Sequence, residues 1–219
     1  RWLTEVDSNS IFLQDANTMC LRPDWLAEII RYVRVKLPEI KRITSYGRAN
    51  TLAKISAEDY KMLKEAGLDR IHSGYESGSD KVLALIEKGC TQEEQIIGGR
   101  KVREAGIELS IYFMPGVGGK ELSDDNAIET AKVINAVNPN FVRLRTFVLR
   151  TGSQMEEVRD AGGWTEDTDM NTSSGGSRYH GRRRHAAFAP CAQYRNLPRP
   201  PRRAGQCRCA HPPLPLGRV

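Results

Sequence analysis

The feature that most constrains the fold is an alternation of strand-like and helix-like segments through the first 150 residues. Five such units start near residues 9, 42, 69, 108 and 141, about thirty residues apart, which is the length of a strand with its crossover helix. Alternation at this pitch predicts a parallel sheet with helices packed outside it, as a barrel or an open sheet. The predicted fold class is therefore α/β.

Local patterns place the individual elements. Segments rich in β-branched and aromatic residues predict strands at 9–14, 42–46, 69–73, 108–114 and 141–149. Ser56 with Asp59, and Thr91 with Glu94, resemble capping boxes that begin helices. A helix that starts near Pro23 is expected to bury one face, formed by Trp25, Leu26, Ile29, Ile30 and Val33. Two adjacent glycines, at 98 and 99, are expected to weaken or bend the helix that contains them.

Polar residues gather where the predicted strands end. The stretch 74–83, GYESGSDKVL, reads as a strand end, a glycine-containing turn and a helix start. Glu76 is thereby placed to meet a sugar hydroxyl or an amine, although a merely solvated Glu76 in an ordinary turn fits the same pattern. The other strand ends supply further candidates, namely Asp15, Asn17, Ser45 to Arg48, the Pro115–Gly119 loop, and Thr151 to Ser153.

The fifth predicted strand carries two arginines on one face. Strand alternation puts Arg143 and Arg145 on the side opposite Val142 and Leu144. Parallel strands are normally apolar on both faces, so these guanidinium groups need a carboxylate, a phosphate or water as partner. A salt bridge with Glu76 or Asp15 and the binding of a substrate both remain open.

Charge is distributed unevenly along the chain. The net charge is +6, but ten of the 33 basic residues are arginines after Met170, where lysine and acidic residues are absent. The remaining 23 basic residues face 27 acidic ones, so residues 1–169 carry a net charge of −4. Five scattered cysteines argue against a secreted disulfide framework and for a reducing cytoplasm.

The basic, proline-rich segment 170–219 has three interpretations. Its composition is typical of a GC-rich gene read out of frame, and such a composition predicts disorder. Its arginines also fit a nucleic-acid-binding arm, and Cys207, Cys209 and His211 with Cys191 fit a metal site. The out-of-frame interpretation is favoured, with 1–158 as the folded domain and 159–169 as a linker. Nucleic acid and membrane are not expected as partners.

A family resemblance follows from the order of these motifs. FLQDAN, RITSYGR, GYESGSDKVLALIEKG, SIYFMPGVGG and RLRTFVLRTGSQM, which together cover residues 8–158, resemble the radical S-adenosylmethionine (SAM) superfamily. The resemblance implies a partial (β/α)₆ TIM-like barrel. It also implies a [4Fe–4S] cluster, held by a CxxxCxxC loop, that cleaves SAM reductively to a 5′-deoxyadenosyl radical, with electrons from a donor such as flavodoxin or ferredoxin.

The resemblance also implies roles for candidate residues around SAM. Asp15 and Asn17 stand where the family's second strand meets the SAM amino group, although the usual glycine-glycine-glutamate triplet is absent. Glu76 and Ser77 match positions that contact the ribose or the methionine part. The positions near adenine fall in the segment 111–116, which includes Tyr112 and Gly116, and Arg145 lies on the sixth strand of the family.

One departure from the family concerns the cluster. No CxxxCxxC occurs in the sequence, and Cys20 and Cys90 stand alone. The chain is therefore expected to be a cytoplasmic fragment of a radical SAM enzyme, truncated at the N-terminus, without its first βα unit and inactive by itself. The alternative is a cluster-free α/β protein that binds a nucleotide or a phosphate. The substrate and the catalytic residues stay unknown.

Overall fold

A computed structural model describes residues 9–167, and these residues form one parallel five-stranded sheet flanked by helices. The strands pair in chain order, each parallel to the next, which confirms the predicted α/β fold class. They are β1 (Ser10–Leu13), β2 (Arg42–Tyr46), β3 (Arg70–Glu76), β4 (Glu108–Phe113) and β5 (Phe141–Leu144).

Helices fill the connections between the strands. A 3-10 turn at Thr18–Cys20 follows β1. The α-helices are α1 (Pro23–Lys36), α2 (Ala49–Lys54), α3 (Ala57–Ala66), α4 (Asp80–Leu85), α5 (Gln92–Glu104), α6 (Ser123–Val137) and α7 (Gln154–Asp160). No helix within residues 9–167 is both long enough and apolar enough to cross a membrane.

The strand order decides where the helices lie. Parallel strands joined by right-handed crossovers, each next to its predecessor, place every crossover helix on the same face of the sheet. The core agrees with this arrangement, because Ile43, Ile71 and Leu109 from the middle strands are fully buried together with residues of the helices. We call this side of the sheet the helix-covered face and the opposite side the inner face.

Helix starts follow the predicted capping. The Ser56 hydroxyl accepts a hydrogen bond from the Asp59 amide at 3.0 Å, and Thr91 and Glu94 form a complete reciprocal capping box. The glycine pair, in contrast, does not interrupt α5, which runs continuously from Gln92 to Glu104. A Cβ at Gly98 would lie 2.8 Å from the backbone nitrogen of Ala53, so this glycine permits close helix packing.

The expected buried face of α1 is only partly correct. Leu26 and Ile30 are buried, whereas Trp25 is 55% exposed and Ile29 is 44% exposed. The apolar arc of α1 is wider than the surface that it packs against, and helical periodicity alone does not show which edge of such an arc is covered. Strand bounds also shift, because β3 continues through Gly74 to Glu76 and β5 ends at Leu144.

The first part of the expected linker has a defined position. Trp164 is buried and donates a hydrogen bond from Nε1 to the Val117 carbonyl at 3.0 Å. Its ring lies edge-on to Phe147 with 5.6 Å between the ring centroids. Residues up to 167 therefore pack against the loop after β4, and the predicted basic tail 170–219 lies outside the described residues.

Candidate functional site

Glu76 lies at the carboxyl end of the central strand in an unusual backbone conformation. Its φ angle is +63°, and the pairing of β3 with β4 shifts register between Gly74 and Glu76, which marks a bulge. Positive φ in a residue with a side chain costs roughly 1–3 kcal/mol and is concentrated at functional sites. A Cβ at Gly74 would collide with Glu76 Oε1, so glycine at 74 allows the carboxylate to fold back over the strand.

The partner of Glu76 is a lysine. Lys88 Nζ lies 3.0 Å from Glu76 Oε1, and the two side chains are largely buried, with 23% of Lys88 and 21% of Glu76 exposed. Glu76 is therefore neither simply solvated nor paired with an arginine of β5, which were the two alternatives that the sequence left open. Charge neutralisation by Lys88 leaves the second carboxylate oxygen of Glu76 available as a hydrogen-bond acceptor.

The turn that follows Glu76 is held by side chains from α5 and α6. Ser77 Oγ donates to Asn126 Oδ1 at 2.6 Å, and Thr130 Oγ1 accepts from the Gly78 amide at 2.9 Å. Ser79 Oγ donates to Asp125, and this hydrogen bond is the main cause that lowers the pKa of the Asp125 carboxyl. Ser77 is fully buried in this network, so its hydroxyl fixes the turn and does not face a ligand.

Asp15 and Asn17 lie after β1 and differ in their roles. Asn17 Nδ2 donates to Thr51 Oγ1 at 3.0 Å, and Asn17 Oδ1 accepts from the Arg48 amide at 2.9 Å. The Asn17 side chain thus joins the loops after β1 and β2. Asp15 is exposed, and one of its carboxylate oxygens accepts a hydrogen bond from the Ala16 amide.

Strand alternation separates two further candidates. Ser45 pairs in register with Ile71, is fully buried, and therefore belongs to the helix-covered face. Tyr112 pairs with Gly74 and Arg143 and belongs to the inner face. A ligand against the inner face would contact Tyr112 and not the Ser45 side chain.

The last two candidates lie on neighbouring strand ends. Gly116 has φ +84° in the loop after β4, a conformation that a side chain would strain. The Arg145 amide donates to the Phe113 carbonyl at 2.9 Å, which continues the β4–β5 ladder and keeps Arg145 on the same face as Arg143. The carboxyl ends of three adjacent strands thus carry candidate residues: Glu76 ends β3, Gly116 follows β4 and Arg145 follows β5.

Sequence reasoning missed His72, which lies on the inner face of β3. Burial, together with the charges of Arg70 and Arg143, lowers the pKa of His72 to about 4. A signal was present in the sequence, because Arg70, His72 and Gly74 alternate with Ile71, Ser73 and Tyr75 and so share one face. Lys88, the partner of Glu76, had no comparable signal.

The described residues do not fit an iron–sulfur cluster. Among residues 9–167 there are two cysteines, Cys20 and Cys90, and no group of three His, Cys, Asp or Glu side chains is close enough to hold a metal ion. Burial raises the pKa of the Cys90 thiol, which disfavours the thiolate form that binds iron.

The fold and the strand-end site define an α/β protein of the partial-barrel class, with polar groups at the carboxyl ends of parallel strands. The family model of the radical SAM superfamily matches residues 7–132, more than half of the chain. The chain therefore belongs to the radical SAM superfamily.

The individual proteins that the chain resembles match only part of their own length. The chain is 26% identical over 132 residues to the heme chaperone HemW of Bacillus subtilis, which covers 59% of this chain and 35% of that protein. It is 49% identical over 49 residues to 4′-phospho-dehydrooxetanocin synthase of Priestia megaterium, which covers 22% of this chain and 7% of that protein. The chain thus spans about a third or less of the relatives that it matches.

A solved structure supports the fold independently. The archaeal Elp3 of Methanocaldococcus infernus, with an N-terminal deletion, superposes with a TM-score of 0.57 at 16% identity. The match covers 75% of this chain and 44% of that one. At this identity the likeness concerns the fold alone, and it agrees with the parallel sheet and outer helices described above.

Proposed function

We propose that this chain forms the SAM-binding wall of a radical SAM enzyme, at the carboxyl ends of β3, β4 and β5. The observation that carries the proposal is Glu76, held at positive φ by a bulge and ion-paired with Lys88. A strained, partly buried carboxylate at this edge of the sheet is suited to accept hydrogen bonds from a ribose hydroxyl or an amine.

The other candidate residues have complementary roles in this proposal. The Gly116 backbone lets the adenine ring approach closely, and the Arg145 guanidinium at the neighbouring strand end donates hydrogen bonds to the adenosine part. The Asp15 carboxylate accepts from the SAM amino group. Asn17 and Ser77 act by fixing the loops that carry these groups, as their hydrogen bonds indicate.

SAM supplies the adenosyl group for radical chemistry in this superfamily after reduction by a [4Fe–4S] cluster. A cluster would need three closely spaced thiolates, and residues 1–219 contain no CxxxCxxC. We therefore propose that the enzyme activity belongs to a longer protein that includes this chain. In this proposal the longer protein acts in the cytoplasm and receives electrons from a donor such as flavodoxin or ferredoxin. The alternative of a cluster-free nucleotide- or phosphate-binding protein gains no support from the comparisons.

The test is SAM binding by the full 219-residue chain, measured by isothermal titration calorimetry. Replacing Glu76 by alanine removes a charge-assisted hydrogen bond worth about 1.5–3 kcal/mol, so the Kd for SAM should rise roughly tenfold to a hundredfold. Cys90→Ser is the matched control, because Cys90 lies near Lys88 in sequence but outside the strand ends.

Two results would contradict the proposal. An unchanged Kd for SAM in Glu76→Ala would remove Glu76 from the site. Wild-type chain that is folded by circular dichroism and yet does not bind SAM at millimolar concentration would overturn the SAM-binding wall as a whole.

A further inference from the structure

A continuous row of rings crosses the inner face of the sheet. Phe12, Tyr46, His72 and Tyr112 come from four adjacent strands. The ring centroids are 4.7 Å apart for Phe12 and Tyr46, 5.8 Å for Tyr46 and His72, and 6.3 Å for His72 and Tyr112. Phe12 and Tyr46 are 38% and 37% exposed, and none of the four belongs to the core on the helix-covered face.

Positive charge lies beside this row. Arg143 Nε donates to Ser110 Oγ at 3.2 Å, and the guanidinium carbon lies 5.7 Å from the centroid of the Tyr112 ring. Arg70, two residues before His72 on β3, is already neutralised by Glu108, with 2.6 Å between the Arg70 nitrogen and the Glu108 carboxylate oxygen. Within residues 9–167 Arg143 forms no ion pair with a carboxylate, so its charge is available to an anion.

His72 supplies a second, independent observation. It is only 9% exposed, and its buried Nδ1 has no hydrogen-bond partner among the described residues. Buried polar atoms are nearly always paired in native proteins, so an unpaired one calls for a partner that residues 9–167 do not provide. Burial is the main cause that lowers the pKa of His72, and Arg70 and Arg143 act in the same direction. The charge of Arg143, which no described carboxylate pairs with, also favours an anion at this position.

We propose that Tyr46, His72, Tyr112 and Arg143 form a substrate pocket, here called the inner-face pocket, for a planar ring that bears a phosphate or a carboxylate. The ring would stack on the aromatic row, the anionic group would pair with Arg143, and His72 Nδ1 would gain its missing hydrogen bond. This inference rests on the proposed function, because it assigns the strand ends to SAM and the layer beneath them to the substrate.

Depth separates the two sites. His72 precedes Glu76 by four positions on β3, and at about 3.3 Å per strand residue this corresponds to roughly 13 Å along the strand. Tyr112 and Arg143 pair with each other in the layer between. The Glu76 carboxylate folds back over Gly74 into this same layer. A ring stacked on Tyr46 and His72 would therefore lie next to SAM on the inner face, on the side of this layer that is away from Glu76.

The experiment uses the full 219-residue chain and four small probes. Phenyl phosphate and benzoate present a ring with each of the two anions, benzyl alcohol presents the ring without charge, and inorganic phosphate presents the anion without a ring. Binding is measured by isothermal titration calorimetry, and the His72 ring carbon resonances report the location of the probe in parallel. We expect one of the ring anions to bind at least about tenfold more tightly than benzyl alcohol and inorganic phosphate.

Variants assign the contacts. Arg143→Met should raise the Kd of the tighter ring anion by about tenfold or more, and Arg143→Lys should restore part of the loss. Arg31→Met, an exposed position on α1, makes the same change of charge away from the sheet and should leave the Kd unchanged. Melting curves and SAM titrations of each variant identify a folding defect before binding is interpreted.

The outcomes separate this inference from the proposed function. Loss of ring-anion binding in Arg143→Met with an unchanged Kd for SAM supports the inner-face pocket. Equal binding of the ring anions to wild type and Arg143→Met, or no shift of the His72 resonances, overturns the pocket while the SAM site stands. If Arg143→Met weakens SAM and the ring anion alike, this layer belongs to the SAM site and the inference is wrong. Failure of the wild type to bind SAM overturns the proposed function itself.

Discussion

The two faces of the sheet carry opposite chemistry although the same strands build both. On the helix-covered face, Ile71 and Leu109 are fully buried within an apolar core. On the inner face, the neighbouring positions are His72 and Ser110, and the aromatic rings of Phe12 and Tyr46 remain more than a third exposed. One face excludes water and the other presents hydrogen-bonding groups, so stability and binding are expected to respond to different substitutions.

Core truncation gives the largest expected contrast between the faces. Ile71→Ala would leave a cavity under the helices and should lower the free energy of unfolding by about 3–4 kcal/mol. Phe12→Ala removes a ring that is already 38% exposed and should cost about 1 kcal/mol. Urea unfolding followed by circular dichroism measures both values. Equal costs would show that the inner face is as well packed as the helix-covered face.

Two glycines allow the same substitution to be compared on each face. A Cβ at Gly99 would lie 2.6 Å from Val137 Cγ1 and 2.7 Å from the Tyr75 hydroxyl, so Gly99→Ala should cost about 2–3 kcal/mol. At Gly74 the obstructing atom is the end of the Glu76 side chain, which can rotate away, so Gly74→Ala should cost less than about 1 kcal/mol.

The effects of the two glycine substitutions on SAM binding should be in the opposite order to their effects on stability. Gly74→Ala displaces the Glu76 carboxylate and is expected to weaken SAM binding, whereas Gly99→Ala should leave the Kd for SAM unchanged at temperatures where the variant is folded. Titration calorimetry at 10 °C below each melting midpoint measures both. A greater loss of affinity in Gly99→Ala would place the SAM contacts on the wrong face.

The sequence predicts the fold more completely than the site. β2 has the predicted bounds, and the capping box of Thr91 and Glu94 begins α5, because both features depend on nearest neighbours in the chain. The parallel sheet follows from the spacing of the units and is confirmed. The exposed edge of α1, at Trp25 and Ile29, could not be predicted, because it depends on which other helix packs there.

The candidate site depends on contacts between distant segments. The Glu76–Lys88 pair joins residues on either side of α4, and the Ser77–Asn126 hydrogen bond joins the β3–β4 crossover to the β4–β5 crossover. No local pattern reports such pairs. The position of Ser45 on the helix-covered face, in contrast, could have been predicted from strand alternation, because its neighbours Thr44 and Tyr46 lie on the other face.

The titration of His72 tests the inner face directly. The pKa of His72 is about 4 in the folded chain, against an ordinary value of 6.5, because of burial and the charges of Arg70 and Arg143. Between these two values the unfolded chain binds a proton that the folded chain does not. The contribution of His72 to the free energy of unfolding should therefore be fully present above pH 6.5 and be lost progressively as the pH falls towards 4. The expected loss is about 1–2 kcal/mol, because water screens part of the charge.

His72→Phe provides the control for that titration, because it keeps a ring in the aromatic row and removes the titrating group. Urea unfolding at pH 4.5 and pH 7.5 gives, for each of the two proteins, the change in the free energy of unfolding between these pH values. Carboxylates also titrate in this range, but they contribute equally to both changes. The wild type should lose about 1–2 kcal/mol more than His72→Phe. Equal losses would mean that His72 is protonated as readily in the folded chain as in the unfolded one, and that water reaches the inner face as freely as it reaches the outer surface of the helices.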